Sequence, residues 1–307
     1  MKIIFMGTPD FAVESLKACI DNHDVVAVFT QPDRPKGRGK KLTPPPVKVT
    51  ALEHDIIVYQ PEKIKTKEFE DIIVDLNPDC IVVVAYGQIL SKIILDTPKY
   101  GCINVHGSLL PKYRGASPIQ WSIVMGEDVT GITTMYMGEG LDTGDMLIKA
   151  KTNIDNTTTA GELHDTLMLM GAEILVETLI KLEDGTVKAE VQDDSLSSYA
   201  PLLKKEMGKI DWDMNGDQII RKVNGLNPWP VAYGTYDGKP LKLFVVEKTD
   251  QSFDASNGEI IAVDKTGMYV RCSDSVLLVK EAQFSGSKRM HISQYILGHE
   301  IELGKKL

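Results

Sequence analysis

Cysteine is scarce in this chain of 307 residues, and what there is lies scattered. Cys19, Cys80, Cys102 and Cys272 form no CxxC pair and show no Cys/His spacing of the kind that holds zinc. They read as reduced core thiols, and no metal site is expected. Long apolar runs are also missing. No stretch approaches the length of a membrane span, and the N-terminus has a strand pattern instead of a signal peptide, so cytoplasmic residence and no membrane partner are expected. Internal repeats and low-complexity tracts are absent. So is a GxGxxG motif: the first strand, Lys2 to Met6, turns at Gly7-Thr8-Pro9-Asp10 with nothing to specify a dinucleotide pyrophosphate.

Net positive charge is missing too, which at first argues against nucleic acid: the formal balance is −9. Its placement changes that inference. From Met207 to the end there are thirteen basic and thirteen acidic side chains, so the acidity lies in the first part. Within that part, residues 34–48 carry Arg34, Lys36, Arg38, Lys40, Lys41 and Lys48 with no acid. A basic loop on an acidic body binds RNA at one place and repels it elsewhere. With four prolines and two glycines, this stretch is expected to hold no regular element. Most charge runs are solvated surface. Arg38 between Gly37 and Gly39 points the other way, since glycines permit close approach and arginine pairs with phosphate.

What is present is a chain long enough for one large core and a second, smaller domain. Apolar strands at Lys2–Met6, Val25–Phe29, Ile56–Tyr59 and Cys80–Tyr86 alternate with helical patterns, including Lys67–Leu76. That alternation predicts a mostly parallel α/β sheet. Thr159 and Glu162 form a capping box for a long helix with Leu163, Leu167, Met170 and Ile174 on one face. His164 on that helix reads as a surface side chain. The period is lost between Glu183 and Glu206. The predicted organisation is a catalytic domain over 1–188, a linker over 189–206 and a C-terminal domain over 207–307. In the last, five short strands separated by turns such as Asp237-Gly238 and Asn257-Gly258 predict a small antiparallel barrel.

The chemistry concentrates between Gly101 and Asp142. On a strand from Cys102 to His106, side chains alternate, so Asn104 and His106 share a face opposite Ile103 and Val105. Ser117-Pro118 reads as the N-cap and first residue of the next helix. Asp142 follows in the turn Gly140-Leu141-Asp142-Thr143-Gly144, where a carboxylate can reach back over the cleft. Each residue alone has a plain reading as a turn former or a satisfied edge residue. Together they suit acyl transfer to an amine: Asn104 and His106 hold an oxyanion, while Asp142 orients and charges His106 or moves a proton. Cys102 shares their face and makes a Cys–His nucleophile conceivable. Burial under a covering helix is the stronger reading.

The segment through Ser108-Leu109-Leu110-Pro111-Lys112-Tyr113-Arg114-Gly115 resembles the formyl-folate signature of the 10-formyltetrahydrofolate-dependent formyltransferases. MGTPDF near the start and QPDRPKGRGKKLTPPPVK after it resemble the branch of that family whose acceptor is initiator methionyl-tRNA. The resemblance covers essentially the whole chain. It implies a Rossmann-like first domain and an OB-like C-terminal barrel. It also implies 10-formyltetrahydrofolate as formyl donor, and Asn104, His106 and Asp142 as catalytic residues. The folate pocket is then built from Ser108, Leu109, Leu110 and Pro111 with Tyr86, Gly87, Gln88, Ile89 and Leu90. The basic loop engages the tRNA acceptor end through Arg38, the family's key arginine, with Lys36, Lys40 and Lys41. Lys280, Lys288 and Arg289 are candidates for phosphate contact, and a monomer is expected. Three other readings stand beside this one: a formyltransferase acting on a nucleotide or sugar amine, a formyl-folate hydrolase, and an RNA-binding module without activity. The first has no need of the 34–48 loop. The intact Asn, His and Asp argue against the last.

Overall fold

The computed structural model describes residues 1–307 except residues 38, 40 and 252. The chain divides into two compact units. One comprises Met1–Gly115, Thr130–Thr152 and His164–Tyr199; the other comprises Ala116–Val129, Asn153–Leu163 and Ala200–Leu307.

The chain opens with β1 (Lys2–Gly7), α1 (Val13–Asn22) and β2 (Asp24–Phe29). Next come β3 (Arg34–Lys36), β4 (Lys41–Thr43), α2 (Pro46–Glu53), β5 (Val58–Tyr59) and α3 (Lys67–Leu76). Then follow β6 (Cys80–Val84), α4 (Lys92–Asp96), β7 (Cys102–His106) and the short β8 (Arg114–Gly115). The middle of the chain holds α5 (Pro118–Val124), β9 (Val129–Tyr136), β10 (Met146–Asn153), α6 (Ala160–Glu183) and the short β11 (Tyr199–Ala200).

Seven of these strands form one sheet in the order β10-β9-β7-β6-β1-β2-β5. Strand β1 pairs in parallel with β2 and β6, β6 with β7, and β2 with β5; β7 meets β9 antiparallel. All five residues of β6 are buried, as a β-branched central strand covered on both faces requires. Ile4, Met6, Phe29, Ile73, Ile81 and Tyr86 belong to one buried cluster of this unit. The expected α/β, mostly parallel architecture is what the sheet shows. Strands β6 and β7 run in register from Ile81 opposite Cys102 to Val83 opposite Asn104, so their C-terminal ends lie side by side. That shared edge, where open α/β sheets bind ligands, carries both Tyr86–Leu90 and the His106 loop.

The expectation of no regular element over 34–48 is corrected. Strands β3 and β4 pair antiparallel, with Arg34 opposite Thr43 and Lys36 opposite Lys41, and α2 begins at Pro46. Pro35 is tolerated because each strand of a two-stranded ribbon is an edge and has one side without a ladder partner. Lys48 is not a free cation either. Its Nζ lies 2.9 Å from Asp33 Oδ1 and 2.7 Å from Gln60 Oε1.

The second unit contains α7 (Gly216–Gly225), whose Asn215 and Gln218 form a reciprocal capping box. It also holds β12 (Tyr233–Tyr236), β13 (Lys239–Thr249), β14 (Ile260–Asp264), β15 (Gly267–Arg271), β16 (Val276–Gln283), β17 (Met290–His291) and α8 (Ile292–Tyr295). These six strands make an antiparallel half-barrel sheet in the order β12-β13-β16-β15-β14, with β17 on β16. Trp212, Ile219, Leu241, Val270 and Leu277 fill its core. The Thr159–Glu162 capping box forms as expected, with both backbone N–H groups accepted by the other's side chain. Ser117 occupies the N-cap position of α5, but its hydroxyl makes no cap bond. Among the described residues no helix is long and apolar enough to cross a membrane.

Candidate active site

Strand β7 does what its alternation demands. Ile103 and Val105 are buried, and Asn104 is partly open to solvent at the same edge as His106. His106 itself is 5% exposed and held from one side: its Nε2 lies 2.9 Å from the Tyr113 carbonyl oxygen. A carbonyl can only accept, so Nε2 carries the hydrogen and Nδ1 is the nitrogen left for chemistry. Asp142 Oδ2 lies 3.8 Å from that Nδ1, close enough for charge pairing and too far for a direct hydrogen bond.

Asp142 is placed by backbone. Its φ is +52°, the left-handed region that aspartate visits more easily than most side chains. The Gly115 N–H donates to its Oδ2 at 2.8 Å. Gly144 closes the turn so tightly that a Cβ there would lie 1.9 Å from the Tyr136 carbonyl oxygen, so any other residue would force the backbone to shift. Imidazole and carboxylate therefore meet, with the carboxamide of Asn104 two residues back on the same strand face.

The predicted folate residues divide. Ser108 is fully buried and Leu110 is 2% exposed. The Ser108 hydroxyl donates to Lys112 O at 2.6 Å, and Thr133 Oγ1 bridges Ser108 O and the Leu110 N–H. These two side chains hold the loop's shape, while Leu109 and Pro111 are partly exposed. In the other stretch, Tyr86 and Leu90 are buried, Gly87 has φ +85°, and Ile89 is 66% exposed. Gln88 spans the chain, accepting from the Ile64 N–H and donating to Pro61 O. The Tyr86 carbonyl accepts from Thr8 Oγ1 at 3.0 Å and Gln31 Nε2 at 3.2 Å. That ties the MGTPDF turn to the cleft edge.

Of the predicted tRNA residues, Lys36 lies in β3 and Lys41 is exposed in β4, whereas Arg38 and Lys40 fall outside the described residues. Lys280 pairs with Glu247, and Arg289 pairs with Glu281 while sitting over the Phe244 ring; both are engaged within their own unit. His164 is more than a surface side chain. Its ring packs against Phe11, with nitrogens 3.6 Å from Asp10 and 3.0 Å from Asp165. Cys102 is buried, its Sγ facing Ile94 O, and burial pushes its thiol up to about 12. That removes the Cys–His nucleophile.

Three groups escaped the sequence reading: the Tyr113 carbonyl, the Gly115 amide and Gln192. The first two are backbone and carry no side-chain signature. Gln192 comes from a stretch without period.

Rossmann-like sheet, half-barrel and this edge site together define a class, and the comparison with known proteins agrees. Residues 1–179 match the formyl transferase family and residues 202–300 match the formyl transferase C-terminal domain, so the chain belongs to the formyl transferase family. It is 54% identical over 310 residues to the methionyl-tRNA formyltransferase of Ruminiclostridium cellulolyticum, covering 100% of this chain and 99% of that one. It is also 54% identical over 305 residues to that of Clostridioides difficile, covering 99% of each. Among solved structures, the N-formyltransferase from Helicobacter canadensis, determined with folinic acid and dTDP-3-aminofucose, superposes with a TM-score of 0.67 at 18% identity. That match covers 91% of this chain and 98% of the other. HypX from Aquifex aeolicus in complex with tetrahydrofolic acid gives 0.61 at 16%, covering 100% of this chain, which spans about half of HypX (51%). These two share the fold.

Proposed function

We infer that the chain transfers the formyl group of 10-formyltetrahydrofolate to the free α-amino group of initiator methionyl-tRNA, for translation initiation. Family membership and full-length relatives bearing that name support the reaction. The observation that carries the site is His106 with Nε2 committed to a carbonyl and Nδ1 turned toward Asp142, beside Asn104.

An α-amine titrates near about 8, so a useful fraction is neutral at physiological pH. Its nitrogen attacks the formyl carbon, a C–N bond forms, and the carbonyl electron pair moves onto oxygen. The Asn104 carboxamide donates to that oxygen, and so does Nδ1 of His106 when it carries a proton. Asp142 pairs with the imidazole and passes on the proton lost by the attacking nitrogen, directly or through a water. The bond from the formyl carbon to the folate nitrogen then breaks, and that nitrogen regains a proton. It is aryl-substituted and leaves readily, so no strong dedicated acid is needed.

The folate is held along the edge formed by Tyr86–Leu90 and the loop from Ser108 to Pro111. Leu109, Pro111, Ile89 and the Gly87 backbone are its accessible surfaces. Lys36, Arg38, Lys40 and Lys41 of the basic 34–48 stretch receive the tRNA acceptor end. The catalytic domain covers 1–188, the linker 189–206 and the tRNA-holding domain 207–307; the enzyme works as a cytoplasmic monomer. Labelled formyl should pass from the folate to methionyl-tRNA and not to free methionine. Release of formate without an acceptor, or equal use of free methionine, would contradict this.

A further inference from the structure

We propose that Gln192 is a positioning residue for the transfer reaction, holding Asp142 in place through the backbone of its turn. This rests on the reading of Asp142 as a catalytic residue.

Gln192 is 7% exposed and lies fifty residues beyond Asp142, in a segment with no regular period. Its Nε2 donates to the Asp142 carbonyl and to the Gly144 carbonyl, each at 2.8 Å. Its Oε1 accepts from Arg114 Nε at 2.9 Å. The partners leave one orientation of the amide: a guanidinium can only donate and two carbonyls can only accept. Both amide hydrogens are used on the one turn. Arg114 is itself anchored by Asp194 at 2.7 Å, and the backbone of the same segment pairs with the turn's exit strand where Met146 and Glu190 exchange N–H···O bonds. Gly115, next to Arg114, donates to the Asp142 carboxylate.

The turn is thus gripped twice, once at the carboxylate and once at the two carbonyls flanking Thr143. Asp142 needs that grip, because its left-handed backbone is one that L side chains rarely adopt. A carboxylate 3.8 Å from the imidazole has little room to drift before proton movement fails. A displacement of about 1 Å costs on the order of a hundredfold in rate.

The test compares kcat, KM and thermal unfolding of the full chain as wild type, Gln192→Glu, Gln192→Met and Asp142→Asn. Gln192→Glu keeps the shape and the Arg114 contact but turns a carboxylate oxygen toward two carbonyls. Gln192→Met keeps length and removes the donors without adding charge. Both should lower kcat for formyl transfer by roughly tenfold to a hundredfold. KM for 10-formyltetrahydrofolate should stay within about twofold, with unfolding temperature little changed. Wild-type kcat in both Gln192 variants alongside an impaired Asp142→Asn overturns the positioning role and leaves the site reading intact. Wild-type kcat in Asp142→Asn sinks the site reading itself. A loss confined to KM or thermal stability, or failure of both Gln192 variants to fold, assigns Gln192 to the fold and ends the proposal.

Discussion

Asn104, His106 and Asp142 differ in how firmly their neighbours hold them, and this governs what each can do. The imidazole is fixed by one carbonyl and the carboxylate by one amide, whereas among the described residues the Asn104 carboxamide has no partner. Its N–H groups are uncommitted, which leaves them available for the oxyanion role proposed for Asn104. The thiols are the opposite case. All four cysteines are buried, and burial pushes Cys19 and Cys102 up to about 12. Native protein at pH 8 should therefore react slowly with a thiol reagent, releasing four equivalents only in denaturant. Rapid modification of any thiol in the folded state would contradict the packing. At this scale the sequence was informative where side chains carry the chemistry. Strand alternation was enough to place Asn104 and His106 on one face. It was silent on the Tyr113 carbonyl and the Gly115 amide, because every residue has those groups and only the folded path brings them there. It did not show that the side chains of Ser108 and Leu110 turn inward to shape the loop.

Elements with a clear period were legible, one of them to the residue: Lys67–Leu76 is a helix as its apolar spacing requires, whereas the strand expected over Ile56–Tyr59 is only Val58–Tyr59. The pairing of β3 with β4 was not legible, because a proline that breaks a wide sheet is compatible with a two-stranded ribbon. The segment around Gln192 was not either, since it is fixed by side-chain bonds that leave no repeat. Two predictions belong here. Gly144→Ala puts a methyl group 1.9 Å from the Tyr136 carbonyl, so the Asp142 turn must move. Overpacking of this kind costs about 1–3 kcal/mol, and calorimetry should show that loss together with reduced transfer. Full activity at wild-type stability would show that the turn tolerates a side chain. In the basic 34–48 stretch, Arg38→Ala and Lys41→Ala should each raise KM for methionyl-tRNA. Each should also lessen the slope of log affinity against log salt by about one per lost phosphate contact. An unchanged slope would leave the stretch as mere surface.

At the scale of the whole molecule, the acidic net charge conceals an uneven distribution, and each unit has its own electrostatics. In the second unit the start of α7 is tied to Asp274, whose carboxylate accepts from the Gly216 N–H at 2.8 Å. That bond chiefly lowers Asp274 to about 2 from the ordinary value of 3.8. A depressed carboxyl contributes stability that is present above the unfolded value and lost as pH falls through the folded one. Unfolding measured between pH 5 and pH 2 should therefore show stability declining below about pH 4. Asp274→Asn should flatten that decline; an identical profile in the variant would remove Asp274 from the account.

The proposed formyl transfer rests, finally, on His106 acting in the transfer step and not in binding. Single-turnover transfer of labelled formyl to methionyl-tRNA, run with saturating folate on wild type and His106→Ala, measures this directly. The loss of one preorganised donor should raise the barrier by about 2.7–4 kcal/mol, a rate fall of roughly a hundredfold to a thousandfold, with tRNA affinity nearly unchanged. Retained turnover with a large loss of tRNA affinity would contradict the assignment.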